Sequence, residues 1–103
     1  MSDLATIDYA NNAFEDIERL NEFLAQQESP MKSQLAAFIP KAVTILAIQP
    51  GIGRPVSESQ RELIIHRGRS GYLARYRYDR ERQTVTVLRL RHHNESGHTV
   101  DEI

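Results

Sequence analysis

Between Arg61 and His93 the chain alternates as three short segments broken by tight turns, and no other stretch limits the fold as much. In the first segment Leu63 and Ile65 lie on one face, with Ile64 and His66 on the other. Gly68 and Gly71 allow the first reversal. In the second segment Tyr72, Ala74, Tyr76 and Tyr78 share a face, opposite Leu73, Arg75 and Arg77. Asp79 to Arg82 is a polar hairpin connection. In the third, Val85 and Val87 share a face with Arg89 and Arg91, while Leu88 and Leu90 take the other. Apolar residues on both faces predict a central strand buried on both sides. Such a meander must cover its apolar face with a second layer.

The first half supplies that layer. Leu4 to Tyr9 alternates weakly and is read as a short strand. Asn12 with Glu15 three residues on forms a capping pair for a helix. Phe14, Ile17, Leu20 and Leu24 then recur at helical spacing, and the helix runs to about Gln27. Ser29 and Pro30 start a second helix, with Leu35, Phe38, Ile39, Ala42, Val43 and Leu46 as its apolar stripe. Pro40 lies inside the stripe, so a kink or break is expected near Phe38. Pro50-Gly51-Ile52-Gly53-Arg54-Pro55 ends the helix and reverses the chain. The tail, Asn94 to Ile103, has no period and reads as mobile. The expected fold is α+β, an antiparallel sheet packed on a helical hairpin, in the order β-α-α-β-β-β.

At 103 residues the chain is one domain, 1–103, with one modest core. Charge divides it. Residues 1–50 hold three basic groups and seven acids, whereas Arg61 to His93 holds nine arginines and three acids, a net +6. Every basic group after residue 50 is arginine, which grips carboxylate or phosphate in a planar, bidentate way. The plainer reading is a solvated sheet face whose arginine stems cover apolar surface. The chain has no cysteine, hence no disulfide, no thiol nucleophile and no thiolate metal site. The four histidines, His66, His92, His93 and His98, follow no metal-ligand spacing, and Gly51-x-Gly53 lacks the rest of a nucleotide fingerprint. No cofactor and no metal are expected. The longest apolar run, Ala42 to Ile48, is too short for a bilayer, and the N-terminus has no signal-peptide pattern, which fits a cytoplasmic location.

Four segments in this order resemble the RelE/ParE superfamily of bacterial type II toxins. They are Ala13-Phe14-Glu15-Asp16-Ile17-Glu18-Arg19-Leu20, Gln49-Pro50-Gly51-Ile52-Gly53-Arg54-Pro55, Arg61-Glu62-Leu63, and Gly71-Tyr72-Leu73-Ala74-Arg75-Tyr76-Arg77 followed by Val85 to His92. The branch most similar is ParE, the plasmid-stabilisation type. The resemblance implies a cognate antitoxin, ParD-like or similar, whose acidic, partly disordered segment folds over the toxin and neutralises it. The basic meander and the outer face of the helical hairpin would receive it.

Two activities follow from the resemblance. ParE-like toxins inhibit DNA gyrase and arrest growth by binding, with no catalytic residue; Arg67, Arg69, Arg75, Arg77, Arg89 and Arg91 are the residues expected to meet target or antitoxin. RelE-like relatives are endoribonucleases that cut mRNA on the ribosome. That reaction needs a base for the 2′-hydroxyl, cations on the phosphate and an acid for the leaving oxygen. Arg69, Arg75 or Arg77, and His92 or His93 would supply those parts. Two departures favour the gyrase reading: the only lysines, Lys32 and Lys41, lie on the second helix, and no tyrosine follows the last strand. A third reading is a toxin that has lost its activity and serves only as the antitoxin's partner.

Overall fold

The computed structural model of the chain describes residues 4–26, 35–67 and 70–93. In chain order the elements are β1 (Thr6–Tyr9), α1 (Asn11–Gln26), α2 (Leu35–Ala42), α3 (Ile45–Ile48), β2 (Arg54–Pro55), β3 (Arg61–Arg67), β4 (Ser70–Asp79) and β5 (Thr84–His92). They form an α+β fold, as the periodicities require. The five strands make one open sheet in the order β1-β5-β4-β3-β2. The β3-β4-β5 meander is antiparallel. The structure adds one parallel pair, because β1 returns beside β5 with Thr6 opposite Thr84 and Tyr9 opposite Val87. It also adds the two-residue β2, which pairs Arg54 with Glu62 and Pro55 with Arg61.

One face of the meander carries the core. Ile65, Tyr72, Ala74, Tyr76, Val85, Val87 and Leu90 are buried there with Ala13 and Leu20 of α1, Ile39 and Val43 of the second helical segment, and Leu46 of α3. Phe38 packs a tilted ring on Tyr72, centroids 6.1 Å apart. The expected faces of β3 and β4 are those observed. Those of β5 are not. The register passes from Tyr76 opposite Val87 to Arg75 opposite Arg89, so Leu88 is an extra residue in β5. This bulge shifts the alternation by one. Val85 and Val87 therefore share the core face with Leu90 and His92, not with Arg89 and Arg91. The apolar residues at both parities reflect the bulge rather than burial on two sides.

Two helix expectations also change. Asn12 does not cap α1: the Ala10 carbonyl accepts from Phe14 N–H, so the helix begins one residue after the strand ladder ends. Phe14 is exposed, and Ala13, Asp16 and Leu20 make the buried stripe instead. The second helix continues through Pro40 and breaks at Val43–Thr44, not near Phe38. Thr44 Oγ1 donates to the Lys41 carbonyl at 2.7 Å, and the following bonds span three residues rather than four. The Ser29-Pro30 start and the tail expected to be mobile lie outside the described residues.

Candidate functional site: an arginine-bearing sheet face

The face of the meander opposite the core is built by the register. Glu62, Arg75 and Arg89 stand side by side on β3, β4 and β5, and Ile64, Leu73 and Arg91 form the next row. Arg77 lies beyond them on the same side of β4, opposite Thr86. Four of the six arginines picked from the sequence, Arg75, Arg77, Arg89 and Arg91, thus share one surface. The bulge at Leu88 brings Arg89 and Arg91 there. Strand β3 ends at Arg67, and Arg69 lies outside the described residues.

Two buried carboxylates organise this surface, and neither was singled out from the sequence. Glu62, buried on β3, takes Arg54 at 2.9 Å and faces Arg75 at 3.8 Å. Asp16, buried on α1, accepts from Arg89 Nε at 2.9 Å and Nη2 at 3.1 Å, and from Arg19. Asp16 also accepts from the Leu90 backbone N–H at 2.7 Å, while Arg19 donates to the Leu90 carbonyl at 2.9 Å. These two side chains stand where a neighbouring strand would, since β1 pairs with β5 only as far as Val87. Burial by itself would raise the Asp16 carboxyl. Hydrogen bonds from Arg89, Leu90 and Arg19, with the Arg19 charge, outweigh it and hold the group below the ordinary carboxylate value. The same hydrogen bond to Asp16 raises Arg89.

The histidines part company. His92 is buried on the core side, edge-on to Tyr72 with centroids 5.1 Å apart. His93 stacks on His92 at 4.9 Å, and its Nδ1 lies 3.0 Å from the Gly71 backbone nitrogen. Arg75 is on the opposite side of the sheet from His92. Of the set drawn up for RNA cleavage, His92 and Arg75 thus lie on opposite sides of the sheet, His93 is exposed, and Arg69 lies outside the described residues. The described residues hold no group of three or more His, Cys, Asp or Glu placed for a metal ion. No helix among them is long and apolar enough to cross a membrane.

The Pro50–Pro55 reversal is tightly held. Tyr76 Oη donates to the Pro50 carbonyl at 2.6 Å and accepts from Gly53 N–H at 2.9 Å. Arg61 donates to the carbonyls of Gly51 at 3.2 Å and Gly53 at 2.7 Å. Burial raises the Tyr76 phenol, against the Gly53 hydrogen bond and the Arg61 charge, so it stays a donor. A Cβ on Gly53 would meet the Tyr76 ring and hydroxyl at 2.7 Å and the Glu62 carbonyl at 2.9 Å. The reversal and the β4–β5 turn flank an open cleft of about 780 Å³, with Arg61, Arg77 and Arg80 among its lining residues.

The chain matches the family model of the ParE toxin of type II toxin-antitoxin systems, parDE, over residues 7–97. Two solved structures share its fold. One is the toxin-antitoxin complex RelBE2 from Mycobacterium tuberculosis, 23% identical with a TM-score of 0.62, the match covering 92% of this chain and 98% of that one. The other is the chromosomal ParDE toxin-antitoxin system from P. aeruginosa, 20% identical with a TM-score of 0.67, covering 86% and 96%. No curated protein matches in sequence. The family match runs from β1 past the end of β5, spanning the core, the clamped reversal and the arginine face. This chain belongs to the ParE toxin family of type II toxin-antitoxin systems.

Proposed function

We propose that the protein is a ParE-like toxin that arrests growth by binding DNA gyrase, and that a cognate antitoxin neutralises it. The observation that carries this reading is that His92, one of the two histidines RNA cleavage could use, is set apart from Arg75. His92 is buried on the core side against Tyr72, while Arg75 is on the other side of the sheet beside Glu62. A general acid or base must reach the proton it transfers, and a side chain enclosed by the core does not reach an RNA strand. A binding inhibitor needs no such convergence. It needs a stable surface, which the arginine face and the clamped reversal provide.

The antitoxin's place on this reading is the arginine face. Arg75, Arg77, Arg89 and Arg91 share this face with Ile64, which is 51% exposed, and Leu73. An acidic segment with interspersed apolar residues would find both its complements there. The family and the shared fold of two toxin-antitoxin structures support an antitoxin partner.

The deciding experiment runs two assays on the purified chain. Relaxed plasmid, gyrase and ATP test supercoiling; ribosomes translating a reporter mRNA test cleavage. Lost supercoiling with intact mRNA is the expected result. Cut mRNA with normal supercoiling would replace this reading with the endoribonuclease one and return attention to Arg69, Arg75, His92 and His93.

A further inference from the structure

The buried acids of the arginine face stand in a particular order. Across the sheet one row runs from Glu62 on β3 through Arg75 on β4 to Arg89 on β5, and Asp16 of α1 closes it beyond β5. Arg75 and Arg89 are therefore directly opposed on neighbouring strands, where like charges destabilise a sheet. Each has an acid on its outer side. Arg75 faces Glu62 at 3.8 Å, and Arg89 gives Nε and Nη2 to Asp16. The two carboxylates are nearly sealed, their side chains 4% and 3% exposed, whereas Arg75 and Arg89 keep 42% and 58% of theirs in solvent. Nη1 of Arg89 takes no part in the bonds to Asp16. Arg77, on the same face, makes no ion pair among the described residues.

We propose that Glu62 and Asp16 are positioning residues for antitoxin binding: they fix Arg75 and Arg89 in place for carboxylates of the antitoxin's acidic segment, and these fixed arginines, rather than the unpaired Arg77, carry most of the affinity. The inference rests on the reading of this face as the antitoxin's. Its physical basis is preorganisation. A long arginine side chain loses rotamer freedom when it grips a ligand, and one already held by a buried acid has less to lose. A guanidinium held along one edge still offers its remaining N–H groups in a planar fork that fits a carboxylate. The face suits spaced carboxylates better than a phosphate backbone. Acids flank the arginines at both ends of the row, and the Glu15 charge on α1 also acts on Arg89. A phosphate backbone, charged at every step, is repelled by those acids, whereas a peptide can set its carboxylates between them. The next row offers Ile64 and Leu73 to the apolar side chains of such a peptide. A second copy presenting the same face would bring arginine against arginine.

The test sets charge against position. Glu62→Gln and Asp16→Asn each remove a negative charge from the face, so charge alone predicts tighter binding of an acidic partner. Position predicts the reverse. In titration calorimetry Glu62→Gln and Asp16→Asn should each weaken the antitoxin complex about three-fold, Arg75→Gln about five-fold and Arg77→Gln no more than about two-fold. The Glu62→Gln effect should vanish in an Arg75→Gln background, because one residue acts through the other. Glu62→Asp keeps the charge and shortens the arm, so it should weaken binding too, and it replaces Glu62→Gln if circular dichroism shows that variant unfolded. Tighter binding by Glu62→Gln, with Glu62→Asp unchanged, would overturn the positioning role while leaving the antitoxin on the face. An unchanged affinity in Arg75→Gln would remove the antitoxin from the face, and this proposal with it. An oligonucleotide whose binding follows the same order of variants would assign the row to a nucleic acid and overturn the choice of partner.

Discussion

Asp16 shows how much one buried carboxylate can carry. It satisfies a backbone N–H on the uncovered part of β5 and draws Arg89 and Arg19 together. Replacing it with alanine leaves that N–H unpaired and both guanidiniums without their acid. We expect Asp16→Ala to lose about 2–4 kcal/mol of stability in urea unfolding. The pH dependence follows from its lowered folded value. A group bound more acidic in the fold than in the unfolded chain contributes stability above its unfolded pKa, about 3.9 for aspartate. That contribution is lost as pH falls through the lower folded value. Unfolding midpoints taken from pH 6 down to pH 2 should fall less steeply in Asp16→Asn than in wild type; equal slopes would show that another group governs the acid limb. Gln83 offers the opposite case. Its φ of 49° is left-handed, a conformation that glycine adopts without steric cost. Gln83→Gly should gain a few tenths to about 1 kcal/mol, read as a higher melting temperature.

Elements are joined here by shared groups rather than by long connections. Ala10 ends the β1 ladder by donating to Val87 and starts α1 by accepting from Phe14. The Tyr76 hydroxyl ties the reversal to the centre of β4. Adding a methyl at Gly53 forces that hydroxyl or the Glu62 carbonyl to move. Gly53→Ala should therefore cost about 1–3 kcal/mol, with the loop amides exchanging faster than those of β4 in hydrogen exchange. Unchanged loop protection would mean that Tyr76 is not what holds the reversal. The bulge at Leu88 acts at the same scale. One extra residue in β5 turns Leu90 and His92 inward and Arg89 and Arg91 outward.

At the scale of the molecule the fold collects its arginines on the side of the sheet away from the core. The sheet's open face gathers arginines, and the reversal presents an exposed Ile52 between Arg54, paired with Glu62, and the Arg61 that clamps it. If the antitoxin uses the basic face, Arg75→Gln with Arg77→Glu should weaken its affinity roughly ten-fold and flatten the dependence on salt. Titration calorimetry at two salt concentrations reads both; an unchanged affinity with an unchanged salt slope would remove the antitoxin from this face.

The sequence by itself determined the α+β class, the meander, the faces of β3 and β4 and the family, because these rest on local periodicity and on the order of short motifs. Tyr72, Ala74 and Tyr76 on one face, with Arg75 and Arg77 on the other, follow from a period of two alone. What depends on partners far along the chain was settled only in three dimensions. Asp16 and Leu90 are separated by 74 positions, and nothing local marks that carboxylate as the one a strand edge requires. The bulge at Leu88 is a mismatch between two strands, invisible in either alone. His92 and Arg89 changed sides with it. The tertiary structure also decided that the reversal is a clamp, since Tyr76 and Arg61 reach it from β4 and β3. Periodicity reports which way a side chain points; only packing reports what it meets.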